Sequence, residues 1–108
     1  MLSSYQKIEI INEVLGLGAI SCKVKLLEEP PLEGWTDYLG LPTPSYFEPF
    51  GPYLIRDLEW IMIDPVERKK IGRLIPEKIL DHTDEISRIF MEKGLDYRIE
   101  DFYFKVSF

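Results

Sequence analysis

Apolar residues near the start of the chain follow the spacing of one face of an α-helix. They recur at intervals of three and four residues, at Tyr5, Ile8, Ile11 and Leu15. Ser3 or Ser4 stands just before this run, and a serine oxygen there accepts a hydrogen bond from a free backbone amide of the first turn. Gly16 and Gly18 follow the run. The pattern predicts a first helix with a serine cap and a glycine end.

The spacing of apolar residues changes to two from residue 19 onward. One set of alternate positions is apolar, at Ile20, Cys22, Val24 and Leu26. The positions between them are polar, at Ser21, Lys23 and Lys25. Because successive side chains of a strand point to opposite faces of a sheet, this alternation predicts a strand with one buried face.

Residues 28 to 52 follow neither spacing. Proline and glycine interrupt the segment at Pro30, Pro31, Gly34, Gly40, Pro42, Pro44, Pro49, Gly51 and Pro52. Proline removes a backbone donor and fixes φ, so neither a helix nor a central strand is expected here. The segment also contains large apolar side chains, at Trp35, Tyr38, Leu39, Leu41, Tyr46, Phe47 and Phe50. We therefore predict a long, ordered Pro/aromatic loop rather than a disordered linker.

The stretch from Tyr53 to Asp64 is apolar at both sets of alternate positions, which indicates a strand in the middle of a sheet. Pro65 ends it. Residues 66 to 80 are basic at their start and are interrupted by Gly72 and Pro76. For this part we predict a short helix or a loop, because glycine and proline disfavour a longer helix.

The end of the chain carries the signals of a helix and of a strand pair. Asp81 or Thr83 is the predicted cap of a helix that ends at Gly94. Its apolar positions are Ile86, Ile89, Phe90 and Met91. Residues 97 to 108 then alternate, with one predicted apolar face at Phe102, Phe104, Val106 and Phe108. Asp101 is the predicted turn of a hairpin in this region.

These elements predict a single α+β domain over residues 1–108. We expect a small mixed or antiparallel sheet with two to three helices on one face, together with the long Pro/aromatic loop. A chain of 108 residues can bury one core without help from a metal or a disulfide. Cys22 is the single cysteine, so no disulfide forms within the chain.

Negative charge is concentrated in the middle of the sequence. The net charge is -6, and residues 28 to 64 hold eight acids against one base, Arg56, whereas the remainder holds eleven acids and twelve bases. Nucleic-acid binding depends on clustered Lys and Arg, so this distribution argues against a nucleic-acid partner. No glycine pattern of a phosphate loop occurs. We expect the partner to be another protein, and a basic one.

No part of the sequence predicts export or membrane insertion. Lys7, Glu9 and Glu13 interrupt the apolar residues at the N-terminus, whereas a signal peptide needs an uncharged apolar core. No apolar run approaches the roughly 20 residues that span a bilayer. A single cysteine suits a reducing compartment, and we expect a cytoplasmic protein with no membrane partner.

Candidate catalytic groups are few. His82 is the only histidine and lies among Asp81, Asp84 and Glu85, where acids ordinarily stabilise the start of a helix. Cys22 belongs to the predicted apolar face, where a buried thiol stays protonated. One histidine and one cysteine do not supply the usual ligands of a zinc site, so we expect no metal, no cofactor and no catalytic residue. Two alternatives stay open: a small hydrolase that uses carboxylates with His82, and a structural homodimer.

The segment GWTDYLGLPTPSYFEPF, residues 34 to 50, combines large rings with acids. Its candidate partner-binding residues are Trp35, Asp37, Tyr38, Tyr46, Phe47 and Glu48. Rings next to charged groups are typical of the residues that anchor protein interfaces. In the alternative interpretation the rings fold back to cover the core or an open sheet edge. The same loop can bind a partner and cover the core, if some of its rings point inward and its acids point outward.

Three short motifs stand out between residues 34 and 105. They are GWTDY, an Arg-x-x-Glu-Trp run at Arg56, Glu59 and Trp60, and an Asp-x-Thr-x-Glu-Ile run at Asp81, Thr83, Glu85 and Ile86. Together they resemble a family of small bacterial proteins of unknown function, so the resemblance implies membership and no activity. In size and charge the chain is also similar to the immunity proteins that neutralise bacterial toxins, which implies an inhibitor that binds a protein.

Overall fold

Helix α1 spans Ser4–Leu15 in the computed structural model, which describes residues 1–69 and 72–108. Ser3 is its N-cap: the serine hydroxyl accepts a hydrogen bond from the backbone N–H of Gln6, and the Gln6 side chain accepts one from the backbone N–H of Ser3. This reciprocal pair satisfies amides that a helix start leaves free. Gly16 is the C-cap, so the predicted cap and end are confirmed.

A second helix and eight strands follow within the described residues. The strands are β1 Ser21–Leu26, β2 Tyr46–Phe47, β3 Tyr53–Leu54, β4 Leu58–Asp64, β5 Val66–Lys69, β6 Lys78–Asp81, β7 Arg98–Glu100 and β8 Tyr103–Ser107. Helix α2 spans Thr83–Lys93, and a 3-10 turn spans Ile55–Asp57. The main sheet has the order β1-β4-β8-β7, and β2-β3 and β5-β6 form two small ladders, all antiparallel. The predicted α+β class is confirmed.

The inner face of the main sheet follows from its register. Three strands contribute two rows of apolar side chains, Val24–Ile61–Val106 and Cys22–Ile63–Phe104. Both rows are fully buried and form one core with residues of the two helices, among them Ile11 and Phe90. Because side chains alternate along a strand, every residue of these rows lies on the same face. Helices α1 and α2 therefore pack on one face of the sheet.

The predicted strand from Tyr53 to Asp64 is confirmed only in its second part, where β4 occupies the predicted central position of the sheet. The 3-10 turn at Ile55–Asp57 separates β4 from β3. On the face opposite the helices, β4 carries Trp60 and Met62, which are half-buried. The ammonium of Lys105 lies 5.0 Å from the centre of the Trp60 ring. A cation over an aromatic face is attracted by the ring, and the lysine stem shields apolar surface from water.

The prediction of a short helix or loop for residues 66 to 80 is wrong at both ends of the segment, whereas residues 72–77 lie in no helix or strand. Strands β5 and β6 pair in this region, with Val66 opposite Asp81 and Lys69 opposite Lys78. Strand pairing joins residues that are far apart in sequence, so the local spacing of apolar residues does not reveal it. Two residues of this segment, Lys70 and Ile71, lie outside the described residues.

The predicted long loop between β1 and β4 is more structured than the sequence indicated. It contains the β2-β3 ladder, in which Tyr46 lies opposite Leu54 and Phe47 opposite Tyr53. It also makes a β-bridge between Thr36 and Cys22. Prolines surround these contacts, but the paired residues themselves keep their backbone donors.

Two predictions for the end of the chain are wrong and the others are confirmed. The N-cap of α2 is His82, and neither Asp81 nor Thr83 occupies that position, although Asp81 accepts a hydrogen bond from the backbone N–H of Thr83 at 2.9 Å. Gly94 ends α2 in a left-handed conformation, φ 72°, and β7 and β8 form the predicted hairpin. Glu100 pairs with Tyr103, so Asp101 and Phe102 are the two turn residues. The predicted inward position of Phe102 is therefore wrong, because the turn removes this residue from the strand alternation. Its side chain is exposed.

Candidate functional site

Residues 32–36 lie against the free edge of β1. The backbone N–H of Leu32 donates to the carbonyl of Val24 at 2.8 Å. Thr36 and Cys22 exchange two backbone hydrogen bonds, of 2.7 and 2.9 Å. These bonds satisfy edge groups that would otherwise be open for pairing with another chain. In this part of the segment the interpretation that it covers a sheet edge is confirmed.

Leu39 and Phe47 hold the second half of the segment in place, and both are fully buried. The backbone N–H of Glu48 donates to the carbonyl of Leu39 at 2.8 Å. The side-chain amide of Asn12, on α1, donates to the carbonyl of Gly40 at 3.1 Å. Phe47 therefore belongs to the core, and its ring is not part of the surface that a partner would meet.

The two halves of the segment lie side by side. A Cβ placed on Gly34 would be 3.7 Å from Cζ of Phe50, and a Cβ placed on Gly40 would be 2.8 Å from Cβ of Glu48. These distances place the two halves next to each other at two points, and both halves carry exposed rings and acids. We define the acidic-aromatic surface by the residues Trp35, Asp37, Tyr38, Glu48 and Phe50.

The rings of the acidic-aromatic surface are open to solvent. The exposed fraction is 58% for Tyr38, 51% for Phe50 and 39% for Trp35. Asp37 and Glu48 are also exposed. Tyr46 is 49% exposed but lies further along, in the β2-β3 ladder. Of the six candidate residues, five are exposed, namely Trp35, Asp37, Tyr38, Tyr46 and Glu48, and Phe47 is buried.

The list of candidate partner-binding residues left out two exposed apolar residues of this segment, Leu41 and Phe50, which are 87% and 51% exposed. Each has a proline on one side and a glycine on the other. A residue with such neighbours is excluded from the interior of a helix or central strand. The proline and glycine neighbours were therefore the signal in the sequence that could have identified Leu41 and Phe50 as exposed, because core residues recur at helix or strand spacing and these two do not.

Trp35 has a fixed position on the outer face of the main sheet. The centre of its ring lies 5.3 Å from that of Tyr103, at a tilt of 45°. The ammonium of Lys23 lies 6.0 Å from the centre of the Trp35 ring. Tilted aromatic pairs and cations near a ring are both attractive contacts. A ring that is already held in place loses less conformational freedom when a partner covers it.

Most of the negative charge in residues 28 to 64 is at the surface. The exposed acids are Glu28, Glu29, Glu33, Asp37, Glu48 and Asp57. Glu59 instead forms an ion pair with Lys25, and Asp64 accepts a hydrogen bond from the backbone N–H of Val66 at 3.0 Å. The segment that bears the exposed rings therefore also bears a strong negative potential.

Cys22 is unreactive for reasons that the structure makes explicit. The side chain is fully buried. Burial, and secondly the negative charge of Asp37, raise the pKa of the Cys22 thiol to about 12. The thiol therefore stays protonated at neutral pH, as its apolar neighbours in the sequence predicted.

His82 lies between two carboxylates. Its Nε2 is 3.1 Å from a carboxylate oxygen of Glu67, and its Nδ1 is 3.3 Å from one of Glu85. The Glu67 side chain is only 5% exposed. The contact with Glu67 raises the pKa of His82, and the same contact lowers the pKa of Glu67. Both ring nitrogens are occupied, so neither is available to exchange a proton with a substrate in this arrangement.

We expect the Glu67–His82 pair to stabilise the fold most strongly between about pH 4.5 and 6.5, the ordinary pKa values of the two groups. The raised pKa of His82 contributes stability below its ordinary value, and this is lost as the pH rises through the folded-state value. The lowered pKa of Glu67 contributes stability above its ordinary value, and this is lost as the pH falls. Urea denaturation of the wild type and of Glu67→Gln across pH 3–9 measures the difference in unfolding free energy between the two proteins, which should be largest between about pH 4.5 and 6.5.

The matched control for this prediction is Glu85→Gln, because Glu85 contacts the same imidazole but is 50% exposed. Solvent screens such an exposed pair, so its effect should be smaller and should depend less on pH. A difference in unfolding free energy between wild type and Glu67→Gln that does not vary with pH would contradict the assignment.

Two features are absent from residues 1–69 and 72–108. No three His, Cys, Asp or Glu side chains there are grouped so as to hold a metal ion. No helix in these same ranges has the length and apolar character needed to cross a membrane.

Comparison with known proteins identifies a family but no activity. No curated protein and no solved structure matches the chain. A family model does match residues 9–107, so the chain belongs to DUF6678, a family of unknown function.

Proposed function

We propose that this chain is a protein-binding module that recognises a basic partner through the acidic-aromatic surface. The observation that carries the proposal is the exposure of Trp35, Tyr38 and Phe50 on a segment whose backbone is fixed to the core. In small domains large rings are usually buried, and a group of exposed rings costs free energy unless a partner covers it.

The rings and the acids have different roles in this proposal. Aromatic side chains in the centre of an interface contribute most of its affinity, commonly about 2 kcal/mol or more each. Acids around them, here Asp37 and Glu48, attract a basic partner and raise its association rate. The fixed backbone reduces the ordering cost of binding, since Leu39 and Phe47 already hold the segment.

The specific form that we propose is an immunity-type inhibitor in a reducing cytoplasm. A small acidic domain that covers a basic enzyme surface needs no catalytic residues of its own, in keeping with the occupied His82 and the unreactive Cys22. The support for this form is analogy of size and charge. It predicts that the gene lies beside one that encodes a toxic protein with a basic surface.

Reversing two charges of the surface should weaken partner capture. We expect Asp37→Lys combined with Glu48→Lys to lower affinity for the natural partner at least about tenfold, because attraction becomes repulsion at the interface. Affinity purification from cell extract identifies the partner, and titration of the purified pair at low and high salt measures the loss. The salt dependence of the wild-type association rate should also be strong.

The control is a variant that has the same net charge as Asp37→Lys with Glu48→Lys, but in which two acids outside the acidic-aromatic surface are replaced by lysine. Glu92→Lys combined with Asp96→Lys alters two exposed acids on α2 and just after it. This control should bind the partner as tightly as the wild type does. Light scattering on the wild type and on both double variants shows whether a loss of partner binding is accompanied by a change of oligomeric state. Equal recovery of one partner by the wild type and by Asp37→Lys with Glu48→Lys would refute the proposal.

A further inference from the structure

The β7-β8 hairpin has a turn that its sequence does not favour. Asp101 has φ 49° and Phe102 has φ 75°, both in the left-handed region. Two-residue hairpin turns of type I′ have positive φ at both central positions, and the second is usually glycine. A phenylalanine there strains the backbone, since its Cβ crowds the neighbouring carbonyl. Strained positions that persist in a fold are often functional.

The strained residue also presents its ring to solvent. Phe102 is 85% exposed, and Ile99, on the preceding strand, is 54% exposed. Together with Pro65 and Val66 they form the apolar part of a depression of about 390 Å³. This volume is near the lower end of ligand pockets, about 300–1,000 Å³, and suits a side chain with its flanking backbone.

The rim of the depression is acidic. Asp81, Thr83 and Asp84 complete its lining, and Asp101 is exposed beside Phe102 in the turn. Hydrogen bonds from Thr83 lower the pKa of Asp81, which keeps this carboxylate charged. No lysine or arginine is among the lining residues of the described chain. The depression therefore combines an apolar floor with a rim of negative charge.

We propose that this depression binds a peptide segment of a partner protein in which one large apolar side chain is flanked by Lys or Arg. The apolar side chain would lie against Phe102 and Ile99, and the flanking cations would meet Asp81 and Asp84. Apolar anchoring gives affinity, and the negative charge of the rim repels acidic segments. The proposal does not depend on the acidic-aromatic surface, because it uses other residues.

The test uses synthetic peptides as probes of the full chain. The probes are amidated nonapeptides with Lys and Arg around a central Leu, Phe or Trp, with one control in which the centre is Gly and another in which Glu replaces the cations. Amide chemical shifts in NMR titrations map each site and measure its affinity. We expect the apolar-centred cationic peptides to shift the amides of Ile99, Phe102 and Asp84, and both controls to bind at least about tenfold more weakly.

Phe102→Gly separates binding from folding. Glycine adopts the left-handed conformation freely, so this variant should be at least as stable as the wild type while losing the anchor ring. We expect its affinity for the central-Leu peptide to fall at least about tenfold. Met91→Ala removes an exposed apolar side chain of α2, 73% exposed, and should bind the peptide unchanged.

Three results would overturn the proposal. They are absence of binding by every apolar-centred peptide, unchanged affinity in Phe102→Gly, and shifts confined to the acidic-aromatic surface. The last result would leave the proposed function in place. If the peptide still shifts the amides of Ile99 and Phe102 in the variant that combines Asp37→Lys with Glu48→Lys, the two sites act separately.

Discussion

Replacing Phe47 by alanine is expected to lower the free energy of unfolding by about 3–5 kcal/mol, the usual cost of removing a buried phenylalanine ring. Phe47 is fully buried, and the centre of its ring lies 6.3 Å from that of Tyr53. A domain of this size has a total stability of about 5–15 kcal/mol, so the loss is a large part of the whole. Urea denaturation followed by tryptophan fluorescence measures it.

The neighbouring residue provides the control. Tyr46 is 49% exposed, and Tyr46→Ala should cost less than about 1 kcal/mol, as surface substitutions usually do. The two substitutions remove rings of similar size one position apart, so only their burial distinguishes them. Similar losses for both variants would show that Phe47 is not the residue that holds the segment to the core.

Replacing Gly40 by alanine is expected to cost about 2–4 kcal/mol for two reasons that add. The backbone of Gly40 has φ 77°, which an L-amino acid with a Cβ adopts only with strain. In addition, the new Cβ would be 2.8 Å from Cβ of Glu48. Because Glu48 belongs to the acidic-aromatic surface, the variant should also shift the amide resonances of residues 38 to 50 in NMR spectra.

Gly94→Ala isolates the first of these two causes. Gly94 has a similar φ, 72°, but nothing lies within 4 Å of a Cβ built there. This variant should therefore lose only the conformational cost, about 1–2 kcal/mol. The difference between the two losses measures the close approach of the two halves of the segment, and equal losses would contradict that approach.

The candidate site was predictable in its composition and not in its arrangement. Rings and acids between residues 34 and 50 are visible in the sequence, because side-chain chemistry is local information. Whether a ring is inward is not local: Tyr46 and Phe47 are adjacent aromatic residues in the same two-residue strand, yet one is exposed and the other is buried. The direction depends on pairing with β3, which the prolines of the segment obscure.

The misplaced elements have a similar cause. Strands β5 and β6 pair with each other although the glycine and proline between them in the sequence suggested a loop, and Glu67 is buried in β5 because His82 and Lys69 satisfy its carboxylate. Phe102 continues the apolar alternation of its strand in the sequence but lies in the turn. In both cases a partner residue at a distance decides the outcome, and apolar spacing contains no information about that partner.

The sequence by itself determined the two helices, the serine cap of α1 and the glycine ends of both helices, the strands β1, β4 and β8, and the concentration of negative charge in the middle of the chain. These features depend on the spacing of side chains along a few turns or residues, which is written directly in the order of amino acids. Only the tertiary structure decided that Phe47 fills the core, that Trp35 lies against Tyr103, and that Phe102 faces solvent. Each of these depends on close packing between distant segments, where the direction of one side chain is set by the shape of another.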